Sequence, residues 1–148
     1  MNGEKCLQSR SKIEKWLKKE GVALMPGLAD QYDREKMTIT YNKRNKIENQ
    51  IYSILHECGH YLVQQSTSYN SKYKIQNEAL EDGRKKRSVS WRVSILREEF
   101  QAWDKGRELS RILGLRINPD TYDKYSAECL RSYCNWVVSP NEYTLGEE

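Results

Sequence analysis

The sequence predicts an α+β fold, mainly helical, with a small sheet placed ahead of its central helix. Two observations predict it. Apolar residues recur at three- and four-residue steps over 47–65 and again over 90–113, the period of helices packed on one face. Before them, Met37-Thr38-Ile39-Thr40-Tyr41 alternates apolar and polar residues, the period of a half-buried strand.

The elements follow in order. Ser11 and Glu14 fit a capping box, with Ile13, Trp16 and Leu17 behind them, so a first helix is expected over 12–20 and Gly21 ends it. Val22-Ala23-Leu24-Met25 is an apolar run halted by Pro26-Gly27, which suits a strand; with residues 37–41 it makes a sheet of two or three strands. The central helix, 47–65, has an apolar stripe of Ile47, Ile51, Ile54, Leu55, Cys58 and Leu62. Its Gly59 costs about 1 kcal/mol relative to Ala, which implies that another backbone comes close there. From 66 to 90 no period is sustained, so a long, mobile loop or partly helical excursion is expected. A helix over 90–113 ends at Gly114, and Asn118-Pro119 is a cap and first-turn signal for a last helix over 119–138. Residues 139–148 read as a frayed polar tail.

Length and composition bound the rest. A chain of 148 residues supports one domain over 1–148. Mean hydropathy is low, −0.92, and ten Tyr and four Trp against one Phe make an aromatic-rich core that must satisfy its polar tips. No apolar run reaches the roughly 20 residues that span a bilayer. The opening MNGEKCLQSR lacks a signal-peptide core, so no membrane association and a cytoplasmic location are expected. Cys6, Cys58, Cys129 and Cys134 form no CxxC pair and read as reduced thiols.

The chemistry is concentrated in His56-Glu57-Cys58-Gly59-His60, which holds both histidines of the chain. At i and i+4 two imidazoles share one helix face, the spacing of a zinc-binding pair, and Glu57 between them is placed to act as general base. A catalytic zinc takes three protein ligands, so a third is required. Glu99 falls within the inward stripe of Ile95, Leu96, Ala102, Trp103, Gly106, Leu109 and Leu113, where a carboxylate must be paired or bound to a cation. Its rivals are Glu98, nearer the flank, and Cys6; an ion pair of Glu99 with Arg92 or Arg97 is the non-metal alternative. Gly106 on the same stripe points to close packing of this helix on the central one.

The segment LHECGHYL, the later EExxAW and the preceding MTITY together resemble the compact gluzincin-type metallopeptidases, in particular the ImmA/IrrE-like domains of bacteria and phages. The resemblance implies a minimal zincin-like domain, Zn2+ held by His56, His60 and Glu99, and Glu57 as catalytic base. The Asp found four residues after the third ligand in larger gluzincins is missing; Asp104 lies five away. No helix-turn-helix domain is expected alongside the motif. SprT-like proteases use three histidines and fit less well.

The function expected is therefore a zinc-dependent peptidase that cleaves a protein or peptide substrate through a metal-activated water. The alternative is a zinc-stabilised nucleic-acid- or protein-binding regulatory module without catalysis. Arg84-Lys85-Lys86-Arg87, followed by Trp91 and Arg92, would be its contact with nucleic acid.

Overall fold

The computed structural model describes residues 3–83 and 88–143. The chain runs α1 (Gly3–Glu20), β1 (Ala23–Gly27), β2 (Gln31–Asp33), β3 (Thr38–Asn42), α2 (Ile47–Gln65), α3 (Tyr69–Lys72), α4 (Lys74–Glu81), α5 (Val89–Ile112) and α6 (Pro119–Val138). It is the expected α+β architecture: helices dominate, and the sheet precedes the helix that carries both histidines.

α1 begins well before the expected residue 12. Cys6 and Ser9 are buried ahead of Ile13 and Leu17, so the apolar stripe extends N-terminally and Ser11 lies inside the helix. Arg10 and Glu14 form an i,i+4 ion pair at 2.9 Å there. Gly21 ends the helix with φ +74°, and the Val22 amide bonds back to the Leu17 carbonyl, six-to-one, the pattern that closes a helix at a left-handed residue.

The sheet has strand order β1-β3-β2, with β1 parallel and β2 antiparallel to the central β3. Ile39 in β3 is fully buried while the residues around it are half-exposed, the alternation expected of the MTITY segment.

α2 is the hub: α1, β2, β3, α3, α5 and α6 all contact it. Every residue from Ile51 to Tyr61 is buried. The expected one-sided stripe, with the histidines beside it, is thus replaced by a helix enclosed all round. Some of its polar residues meet partners from other elements, as Ser53 does with Tyr125 and His60 with Glu98. Ile47, the expected start of the stripe, is half-exposed at the helix entrance.

Residues 66–90, expected as a loop or partly helical excursion, contain α3 and α4. Tyr69 and Tyr73 are buried four residues apart and join Val63 in a small second cluster. The polar residues between these anchors hide the period in the sequence. The basic cluster at 84–87 and the end of the tail, 144–148, lie outside the described residues. At the far end α6 starts as expected, with Asn118 Oδ1 accepting from the Asp120 and Thr121 amides at 2.9 and 3.2 Å and Pro119 in the first turn. Among the described residues no helix is long and apolar enough to cross a membrane.

Candidate metal centre

α2 and α5 pack backbone against backbone. A Cβ on Gly59 would lie 1.8 Å from the Ala102 carbonyl oxygen, and one on Gly106 would lie 2.5 Å from the Leu55 carbonyl oxygen. Both glycines, conspicuous in the sequence, mark where one helix backbone touches the other. Contact this close lets short side chains on facing turns converge.

They converge at His56, His60 and Glu99. His56 Nε2 and His60 Nε2 are 3.2 Å apart. Glu99 reaches both, with Oε2 2.8 Å from His56 Nε2 and Oε1 3.1 Å from His60 Nε2. Zinc with four ligands at about 2.0–2.1 Å has ligand–ligand edges of about 3.3 Å, close to all three separations. One detail speaks for a cation rather than an ordinary network. Glu99 Oε2 is buried and close to His56 Nε2, yet it has no hydrogen-bond partner. The ring N–H direction misses it, as expected when the two lone pairs aim at a common point. The donor set, two imidazoles and a carboxylate, suits zinc.

Glu98 corrects the sequence expectation. It is as buried as Glu99, not on a flank, whereas Ile95 and Leu96, expected to face inward, are half-exposed. The reason is that the buried residues in the first half of α5 are polar, Arg92, Ser94, Glu98 and Glu99, and the last two meet the histidines. Glu98 does not share the Nε2 cluster. Its Oε2 lies 2.6 Å from His60 Nδ1 and accepts from Gln64 Nε2 at 3.2 Å, and its Oε1 accepts from the Tyr69 hydroxyl at 2.7 Å. A carboxylate on the far nitrogen fixes the tautomer and tilt of an imidazole that donates through Nε2.

The charges follow from burial and these contacts. Burial pushes the His60 imidazolium down, but Glu99 and the Glu98 and Glu99 hydrogen bonds outweigh it and hold its pKa well above the usual value. Burial lowers His56, which stays neutral. Glu98 and Glu99 are both held below the ordinary carboxylate range despite burial, by His60 foremost. Without a cation, then, His60 itself favours the protonated form, with Nδ1 toward Glu98 and Nε2 toward Glu99. Glu57 is different: burial raises it to about 8, with Glu99, Asp30 and Glu98 adding to the rise and His60 opposing it.

His56, Glu57 and His60 offer ligand atoms within 4.8 Å of one another. His56, Glu57 and Glu99 also line a cavity of about 200 Å³. One wall of it comes from the sheet side, Asp30, Asn42 and Asn45; the other comes from Trp103 and from Tyr125, Cys129 and Tyr133 on α6. Nothing in the sequence pointed to α6 or to Asp30, because neither carries a motif and only the tertiary fold brings them here. A larger cavity of about 340 Å³, between α2, α3 and α5, contains none of the histidines. His56, Glu57 and Glu99 line the smaller one.

Cys6 and Cys58 are buried in the main hydrophobic core, and Cys6 is not among the groups that converge on the histidines. Asp104 is exposed. Tyr61 packs edge-on against Trp16 and Tyr32. Arg92 donates through Nε to the Val137 carbonyl at 3.0 Å, tying α5 to α6.

The model of the Peptidase_M78 family, the IrrE N-terminal-like domain, matches residues 15–86. The matched stretch takes in the C-terminal part of α1, the sheet and all of α2, and ends before Glu98 and Glu99. No curated protein and no solved structure matches the chain. His56, Glu57 and His60, on a buried helix behind the sheet, all lie inside the stretch, residues 15–86, that is similar to the Peptidase_M78 family.

Proposed function

We propose that the protein is a zinc-dependent peptidase acting on a protein or peptide substrate, with His56, His60 and Glu99 as zinc ligands and Glu57 as catalytic base. The observation that carries the proposal is that His56 Nε2 and His60 Nε2 lie 3.2 Å apart and meet one Glu99 oxygen each, at 2.8 and 3.1 Å, with Glu99 Oε2 left without a hydrogen-bond partner. The match to a peptidase family supports it independently.

The metal, when bound, supplies Lewis acidity, lowering the pKa of water toward about 7 and polarising a carbonyl. The chain's own groups do the rest. Glu57 lines the cavity at 6% exposure, so it faces the substrate with little competing solvent. Its raised pKa sets it near neutrality, where a carboxylate can take a proton from the attacking water and return it to the leaving amine. Glu98 keeps the His60 ring in one tautomer. Asn42 and Asn45 give the polar wall hydrogen-bonding groups for a peptide backbone, while Tyr125 and Tyr133 face them with aromatic surface.

The test is Glu57→Gln. The variant should bind zinc with the wild-type stoichiometry and lose about 10²–10⁴-fold in cleavage of a peptide library read by mass spectrometry. Cleavage at the wild-type rate in this variant, or cleavage unaffected by a chelator, would overturn the reading.

A further inference from the structure

We infer that Trp103 is the positioning residue for His56: the indole fixes the imidazole plane by stacking where a hydrogen bond to the second ring nitrogen would otherwise do so. The inference rests on the zinc-site reading above.

A metal-ligating histidine almost always donates its other ring N–H to a carboxylate, carbonyl or water. His60 follows that rule through Glu98 at 2.6 Å. His56 does not: its Nδ1 is buried with no hydrogen-bond partner among the described residues. The two imidazoles therefore differ in how they are held, although they sit one turn apart on the same helix. For His56 the missing restraint is replaced by a ring. Trp103 lies nearly parallel to it, with centroids 4.1 Å apart and planes 18° apart. Tilting the imidazole about its side-chain bonds would drive it into the indole.

The stack can act as a restraint only if the indole is itself fixed, and it is. Trp103 is 4% exposed. Tyr122 and Tyr125 of α6 meet it edge-on at 5.5 and 5.9 Å, and the Tyr122 hydroxyl donates to the Trp103 carbonyl at 2.7 Å. Ala102, its neighbour, is pressed against Gly59, which sets the height of α5 over α2 at this turn. Trp103 also stands four residues after Glu99, on the same face of α5. One helix turn thus carries a candidate ligand and the support of another ligand. α6, which lies wholly outside the family match, is linked to the metal centre through that support.

Zinc titration of the full chain, with parallel cobalt(II) absorption spectra, tests this on Trp103→Leu and Trp103→Phe. Loss of the ring in Trp103→Leu should weaken zinc binding about 10–100-fold and alter the cobalt spectrum, while Trp103→Phe should stay within about threefold with the wild-type spectrum. Circular dichroism of each metal-free variant checks folding. Should the leucine variant fail to fold, Trp103→Met, which refills the volume without a ring, carries the same expectation. Zinc affinity and cobalt spectrum unchanged in the ring-less variant, or lost equally in the phenylalanine variant, would overturn the inference and leave the zinc site standing. No zinc binding by the wild-type chain would remove the zinc-site reading and this inference together.

Discussion

Gly59 and Ala102 sit so close that a methyl group on the first would lie 1.8 Å from the carbonyl oxygen of the second. This contact, with Gly106 against Leu55 further along, fixes the separation of the two helices that bring His56, His60 and Glu99 together.

Gly59→Ala should therefore be destabilising although alanine is the better helix former. The gain in propensity is about 1 kcal/mol, whereas overpacking a rigid backbone contact costs about 1–3 kcal/mol or more. A net loss of stability in urea denaturation is expected, together with weaker zinc binding because Glu99 is pushed away from the histidines. Gly106→Ala, whose added carbon meets Leu55 at 2.5 Å, should show the same sign with a smaller effect. Equal or higher stability of the Gly59 variant would contradict the packing argument.

These glycines were legible in the sequence because a glycine inside a strong helical period weakens the helix unless a second backbone packs where a side chain would stand. The bounds of α2 and α6 were legible for a similar reason: a periodic stripe in one and a cap followed by proline in the other. Glu98 was not. Its i+3 neighbour on the C-terminal side, Gln101, and its i−4 neighbour, Ser94, are polar, so an amphipathic reading sends it outward. Only the tertiary partners Tyr69, Gln64 and His60 account for its burial. Trp103 reads as an ordinary core residue, since stacking on an imidazole leaves no periodic trace. α3 and α4 were obscured because short helices held by two tyrosines show too few turns to establish a period.

Glu98 and Glu99 are adjacent and equally buried, but their substitutions should differ in kind. Glu99→Gln should abolish tight zinc binding, because it removes the charge of the carboxylate that spans both imidazoles. Glu98→Gln should keep the stoichiometry and weaken affinity about 10–100-fold, the usual cost of removing an outer partner of a ligating histidine. Metal analysis after dialysis against a weak chelator separates the two. Equal loss in both variants would mean that Glu98 is itself a ligand.

Tyr69 ties the segment between α2 and α5 to the site, because its hydroxyl is one of the donors that hold Glu98. Tyr69→Phe keeps the ring in its cluster with Tyr73 and removes only that donor. A net hydrogen bond to a charged group is worth about 1.5–3 kcal/mol, of which only part reaches the metal because Gln64 still holds the other oxygen, so zinc affinity should fall by about three- to tenfold. Calorimetric titration of the variant checks it, and an unchanged affinity would show that Glu98 is positioned without help from α3.

The metal-free protein should lose stability as pH rises from weakly acidic to mildly alkaline. Burial lifts Glu57 from 4.5 to about 8, so the native chain keeps a proton there that the unfolded chain has already released. A state that binds more protons is favoured by acid, and this contribution is complete below the unfolded value and gone above the folded one. His60, also raised, acts in the same direction, while Glu98 and Glu99, both lowered, withdraw their contribution only in stronger acid. Urea midpoints in the presence of a chelator should therefore be higher at about pH 5.5 than at about pH 8.5. Glu57→Gln, which cannot ionise, should flatten that slope and be relatively most stabilising at the alkaline end. Zinc should reverse the trend, since its ligands must be unprotonated to bind it and its binding releases the His60 proton. A metal-free midpoint that climbs toward alkaline pH would mean that Glu57 is ionised in the fold, and its place as a proton acceptor poised near neutrality would have to be abandoned.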